Sequence, residues 1–279
     1  MNSDVRAAAR AGGSRRPAVA GTFYPSDPSD LRTTVEFLIA HAAGTGPAPK
    51  GLIVPHAGYL YSGPVAACAY ATLTPRRVRI RRVVLLGPAH RVYVHGLALP
   101  AAATFETPLG LVEIDRAWVN RLAGLPQVSI LDAAHALEHS LEVQLPFLQV
   151  ALSGFKLVPL VVGDAASDSV AEVLETLWGD EETLIVVSSD LSHYHDYETA
   201  HRLDGATCRA IEELRQEAIG PEEACGCMPL GGLLTLARRR RLNVQLLDLR
   251  NSGDTAGPRD RVVGYGAFAV HETGSAGTA

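Results

Sequence analysis

Three histidines stand where apolar runs end. Gly51-Leu52-Ile53-Val54 leads into Pro55 and His56; Val83-Val84-Leu85-Leu86 leads through Gly87-Pro88-Ala89 to His90; Leu184-Ile185-Val186-Val187 leads through Ser188-Ser189-Asp190 to His193. Short continuous apolar runs read as strands buried on both faces. Open α/β sheets bind ligands outside the carboxyl ends of their strands. A single histidine in such a place is as readily a hydrogen-bonded structural residue. Three of them point to one shared pocket, and neutral imidazole is a good ligand for iron, copper, zinc or nickel.

Other residues add chemistry near these ends. His193 and His195 form an H-x-H pair, which on an extended backbone points both rings to one side; the plainer reading exposes one ring and bonds the other to Asp190. Asp190 is placed to hold an imidazole tautomer or to cap the loop. Glu138, His139 and Glu142 form an acidic and imidazole cluster, open to a dipole contact by Glu142 with His139 in solvent. Cys225-Gly226-Cys227 lacks the second pair a zinc finger requires. Two readings fit it: buried structural thiols, or a thiolate ligand favoured by the start of a helix. Tyr59 and Tyr61 are expected to line the pocket. No G-x-S-x-G elbow, P-loop, H-E-x-x-H or G-x-G-x-x-G is present, which removes the main support for serine hydrolase, nucleotide-binding and zincin readings.

The elements that position these residues follow from periodicity and punctuation. Helices are expected over 29–42, 64–73, 115–125, 140–152 (with Pro146 as an objection), 167–178 capped by Ser167, 199–217 and 228–240. Residues 44–49 read as a Gly/Pro connector, and 95–115 as an antiparallel excursion. A further core strand spans 157–162, and two closing strands at 244–249 and 262–270 flank a turn-rich stretch. Strand, helix and strand around His56 and His90 imply a right-handed parallel unit.

The chain of 279 residues is 47% hydrophobic and 20% charged, ordinary for one large α/β domain. Its net charge of -5 argues against nucleic acid as a partner. Arg238 to Arg241 suit a helix C-terminus better than a binding patch. Four irregularly spaced cysteines point to a reducing, cytoplasmic compartment. No apolar stretch approaches the roughly 20 residues that span a bilayer, and the first residues lack a signal-peptide core. Residues 1–16 and 273–279 are expected to be disordered tails around a body spanning 17–272.

The motifs VAGTFYPSDP, PHAGYLYSGPVAACAY, LLGPAHR, EHSLEVQLPFLQ, VVSSDLSHYHDY, CGCMPLGGLL and SGDTAGPRDRVVGYGAFAV together resemble the Memo family in its bacterial and archaeal form. They run in order over nearly the whole chain. The resemblance implies a single-domain α/β/α sandwich with a central mixed, mostly parallel sheet, similar to class III extradiol dioxygenases. It implies a metal held by His56, His90 and Cys225, with Asp190, His193 and His139 beside it; Cys227 is not a ligand position in that pattern. Cysteine in place of the dioxygenase carboxylate is a softer, stronger donor that also suits copper(I).

The leading expectation is a mononuclear non-haem Fe(II) oxidoreductase, dioxygenase-like, acting on an organic substrate, with copper or zinc as alternative metals. His193, oriented by Asp190, would serve as general acid/base, with His139 as a second polar contact. The alternatives are a non-catalytic scaffold that uses the cleft to hold a peptide or partner, and a metal-dependent hydrolase. The resemblance also implies companions of the AMMECR and radical SAM types in a shared pathway.

Overall fold

The structure, a computed structural model, describes residues 13–43 and 46–273. The first half contains β1 (Ser14–Arg15), α1 (Pro28–Ala40), β2 (Gly51–Val54), α2 (Tyr59–Ala71), β3 (Arg82–Pro88), β4 (Leu97–Leu99), β5 (Thr104–Thr107), β6 (Gly110–Glu113), α3 (Arg116–Leu122), β7 (Val128–Ile130) and α4 (Asp132–Ala136). The second half contains α5 (Leu145–Ala151), β8 (Lys156–Val162), α6 (Ser167–Leu177), β9 (Thr183–Ser188), β10 (His193–His195), α7 (Tyr197–Glu212), α8 (Cys227–Arg240), β11 (Asn243–Asn251), α9 (Ser252–Thr255) and β12 (Val262–His271).

One nine-stranded mixed sheet organises the chain in the order β10-β12-β2-β9-β3-β8-β4-β7, with β11 also paired to β12. Its centre is parallel: β2 pairs with β9, β9 with β3, and β3 with β8. Antiparallel strands flank this centre, β12 against β2 and β4 against β8. Every side chain of β2 and β9 is buried. Strands buried on both faces need helices over both faces, which accounts for their unbroken apolar sequences. Helices α6 and α8 pack together, with α8 on β3 and β9, while α1, α2 and α5 pack together with α2 on β2 and β12. The result is a mixed α/β architecture, as expected.

The excursion over 95–115 is antiparallel: β4 pairs antiparallel with β8, and β5 and β6 form a hairpin in a separate three-stranded sheet. That small sheet corrects the expected start of the body. Ser14 and Arg15 pair with Thr104 and Phe105, so β1 is an ordered part of the fold rather than tail. A buried ion pair between Arg15 and Glu142 fastens it. Residues 1–12 and 274–279 of the expected tails, and 44–45 of the connector, lie outside the described residues.

Several helix boundaries differ from the sequence reading for local reasons. The helix after His56 begins at Tyr59 and runs through Pro64, which forgoes one backbone bond. The helix expected over 140–152 is a 3-10 turn, Glu142–Gln144, followed by α5 with Pro146 in its first turn, where a missing N–H costs nothing. The N-cap of α6 is Ala166, and Ser167 makes no capping bond. Asp196 caps α7 by accepting from the Thr199 N–H, which starts that helix at Tyr197. Between β11 and β12, α9 closes on a capping box made by Asn251 and Asp254. Among the described residues, no helix is long and apolar enough to cross a membrane.

His135, on α4 under the small sheet, is buried and bonds the Ala98 carbonyl through Nε2. Burial, the largest influence, lowers its pKa to about 4. The unfolded chain therefore binds the extra proton first, and stability falls as pH drops from about 6.5 toward 4, by on the order of 3 kcal/mol for this group. Urea unfolding at pH 7 and pH 4.5 is expected to show that loss, reduced in His135→Gln. An equal loss in wild type and variant would remove His135 as a source.

Candidate metal centre

The sheet order places β2, β9 and β3 side by side, so their carboxyl ends open onto one spot. β2 delivers His56, β3 delivers His90, and the loop after β9 carries Asp190 and His193. His56, His90 and His139 converge there, with one donor atom from each lying within 4.8 Å of the other two. The His90 and His139 rings are stacked, with centroids 4.8 Å apart, and both meet His56 edge-on at 5.3 and 5.5 Å. A cavity of about 550 Å³ opens over this cluster, and His193, Asp190 and Cys225 also line it.

Two close approaches assemble the cluster. A Cβ at Gly87 would lie 2.7 Å from Ser140 Oγ, so only glycine lets the Glu138–His139–Ser140 segment cross β3 at this depth. A Cβ at Gly226 would lie 2.6 Å from Ser189 Cβ, so glycine between the two cysteines lets that turn press against the end of β9. The Gly226 N–H donates to Ser189 Oγ at 2.9 Å and the Cys225 N–H to the Asp190 carbonyl at 3.3 Å.

Hydrogen bonds determine the tautomers. Ser188 Oγ donates to the Ser140 carbonyl at 2.6 Å and accepts from the Gln144 side-chain amide at 2.8 Å. Its single proton is thereby used, so its 2.9 Å contact with His56 Nδ1 is accepted from an Nδ1–H. His56 therefore presents the bare Nε2. His90 Nδ1 donates to Glu138 Oε1 at 2.9 Å, which likewise leaves Nε2 bare. Glu138 also accepts the His90 N–H at 2.7 Å and the Ser140 N–H at 2.9 Å. Burial alone would raise the Glu138 carboxyl, but these bonds prevail and hold it at about 2.

Two of these imidazoles, His56 and His139, are in the ligating form. Burial, followed by the neighbouring His90, lowers His56 to about 3. Burial, followed by His56, lowers His139 to about 4. Both are neutral at pH 7, as metal binding requires. His139 Nδ1 is buried without a hydrogen-bond partner, at 3.5 Å from Glu138 Oε1. An orphaned, neutral imidazole nitrogen beside two aimed Nε2 atoms fits a metal site.

Cys225 borders this group on one side. Its Sγ lies 3.4 Å from His56 Nε2 and accepts from the Asp190 N–H at 3.3 Å. Burial, the largest influence, raises its pKa, and Asp190 raises it further. It falls outside the three-histidine group, and His139, expected beside the metal, falls within it. Cys227, half-buried, does not line the histidine cavity.

Other expectations are redistributed. Asp190 accepts the backbone N–H of His56 at 2.7 Å, so it anchors the chain at His56 instead of the ring of His193. Tyr194 has φ 64, which breaks the alternation of an extended strand; His193 lines the cavity and His195 does not. Tyr59 is a core residue whose hydroxyl donates to the Val143 carbonyl at 2.7 Å, and neither Tyr59 nor Tyr61 lines the cavity. Glu142 is buried, accepting from Arg15, from the N–H groups of Ala18 and Val19, and from the Tyr24 hydroxyl, and His139 is half-buried in the cavity wall instead of standing in solvent. The orienting roles of Glu138, Ser188 and Gln144 had one visible signal, the adjacency of Glu138 to His139.

The fold and this site define an α/β protein with a histidine cluster at parallel strand ends, able to hold a metal ion. The model of the Memo-like protein family matches residues 15–269, and the chain belongs to that family. It is similar to a MEMO1 family protein of Metallosphaera sedula, 34% identical over 274 residues, covering 90% of this chain and 97% of that protein. It is also similar to a MEMO1 family protein of Aquifex aeolicus, 38% identical over 267 residues with the same 90% and 97% coverage. A solved structure of an uncharacterized protein from Escherichia coli K12 superposes with a TM-score of 0.49 at 15% identity, covering 78% of this chain and 98% of that one.

Proposed function

We propose that this protein is a mononuclear non-haem iron oxidoreductase, dioxygenase-like, acting on an organic substrate. The observation that carries the reading is the convergence of His56 and His90, each with Nδ1 committed as a donor and Nε2 bare, at the mouth of a cavity. Cys225 is the proposed third ligand. Donors bound to one ion at about 2.0–2.3 Å in tetrahedral geometry lie roughly 3.5 Å apart, and Cys225 Sγ is 3.4 Å from His56 Nε2. Bound Fe(II) would supply electron-transfer chemistry toward dioxygen, and a thiolate would make the iron more electron-rich. His193, half-buried in the cavity wall, is placed to move a proton to or from a substrate, with His139 as a second polar contact in the same wall.

A second reading has its own observation. The mutually closest donors are three imidazoles, and a three-histidine set is one with which catalytic zinc activates a bound water, the nucleophile a hydrolase needs. Elemental analysis and absorption spectra of anaerobically purified protein separate the two. About one iron per chain, with a thiolate-to-iron charge-transfer band that disappears in Cys225→Ala, is the expected result. A band unchanged in Cys225→Ala removes the thiolate ligand. Stoichiometric zinc, retained in Cys225→Ala and lost in His139→Ala, establishes the hydrolytic reading instead.

A further inference from the structure

The cleft over the histidines has a second lobe. A cavity of about 430 Å³, walled by Tyr93, Val94, Asp164 and Met228, adjoins the histidine cavity, and His90, Arg91 and Cys225 line both. Arg91 follows His90 directly at the end of β3, so the residue that abuts a metal ligand also stands at the junction of the lobes. Among the described residues, its guanidinium makes no hydrogen bond or ion pair. Several exposed arginines elsewhere on the molecule are paired with carboxylates: Arg79 with Glu181, Arg215 with Glu213, Arg238 with Glu217, Arg239 with Asp168 and Arg240 with Glu175.

The carboxylates within reach of the cleft are already engaged. Asp190 accepts the His56 N–H, and Asp164 accepts from the Tyr93 hydroxyl at 3.3 Å. A second cation stands at the mouth, where Arg261 lies over the exposed ring of Tyr194, 5.0 Å from its centroid. Tyr194 is held there by a left-handed backbone, φ 64. Asp190 and Asp164 each have an acceptor oxygen in use and form no ion pair with Arg91, so its charge is open to an anionic ligand at the junction, and a metal ion would add to it.

We propose that the cleft takes a substrate bearing a carboxylate, held by Arg91 at the junction, while the reacting end of the substrate faces His56 and His90. A single guanidinium offers two parallel N–H donors, the geometry of a carboxylate; phosphate sites draw on several donors, and among the described residues the junction supplies one unpaired guanidinium. Asp164 disfavours an anion deep in the second lobe, which leaves the uncharged body of a longer substrate to fill it. This assignment rests on the metal-centre reading for the other end of the substrate.

The test compares 3,4-dihydroxybenzoate with 3,4-dihydroxybenzamide, matched chelating probes with and without the charge. Binding is measured anaerobically by calorimetry on iron-loaded and metal-free protein, with metal content read on the same samples. Wild type is expected to prefer the acid by about tenfold or more, less so at high salt. Arg91→Ala is expected to bind both probes equally with its amide affinity unchanged, and Arg91→Lys to keep part of the preference. Equal affinity for the two probes in wild type, an acid preference intact in Arg91→Ala, or no binding of either probe to iron-loaded protein would overturn the proposal. Full metal content without acid preference leaves the metal reading standing. Acid preference in protein that takes up no metal keeps Arg91 as the carboxylate site and removes the metal reading.

Discussion

His56→Ala is expected to lower metal affinity by more than about 100-fold, because outer-sphere partners of a ligating histidine alone contribute roughly 10–100-fold. The substitution removes the one nitrogen that two fixed hydrogen bonds have left bare, since Ser188 Oγ can only accept from His56 Nδ1. Glu138→Gln is expected to cost about 10–100-fold while leaving every proposed ligand in place. Its carboxylate accepts three N–H groups, from the His90 ring, the His90 backbone and Ser140. A glutamine has one acceptor oxygen and turns an NH₂ group toward at least one of those donors. Competition against a chelating dye measures both affinities, and far-ultraviolet circular dichroism checks the fold. Wild-type affinity in His56→Ala would make the imidazole cluster structural. Wild-type affinity in Glu138→Gln would show that the orientation of the His90 ring does not matter to binding.

Glu142→Ala is expected to destabilise the fold by about 3–5 kcal/mol, the cost of leaving a buried charge without its partner. Glu142 is fully buried and Arg15 nearly so. With the carboxylate gone, Arg15 keeps only the carbonyls of His135 at 3.0 Å and Glu138 at 2.6 Å. The N–H groups of Ala18 and Val19 and the Tyr24 hydroxyl lose their acceptor as well. Arg15→Met is expected to be nearly as costly, because it strands the carboxylate. The double variant is expected to cost less than the sum of the two single variants, since each one already breaks the same pair. Urea titrations of the four proteins give the cycle. A single-variant cost below about 1 kcal/mol would place this pair with weak surface ion pairs. The pair also ties the small β1-β5-β6 sheet to the segment that carries Glu138 and His139, so loosening it is expected to disturb the metal site too.

The sequence by itself determined the strands that end in His56 and His90, the antiparallel excursion that follows them and the family. Continuous apolar runs and the prolines after them are local signals, and a long string of motifs in fixed order is specific without any structure. It also pointed to a shared pocket, because three strands ended in imidazoles. The tertiary structure decided how that pocket is made. That β9 lies between β2 and β3 is a matter of pairing, which the strands' nearly uniform apolar sequences do not encode. That His139 joins His56 and His90 depends on a segment crossing β3 above Gly87, and that Glu138 orients His90 depends on the same crossing. Asp190, three residues from His193, bonds the backbone of His56, 134 residues away. Arg15, which sequence assigned to a tail, meets Glu142 across 127 residues. Contacts at such separations leave no period and no spacing in the chain. They arise when burial removes water from polar groups, which must then find partners wherever the packed fold has brought them.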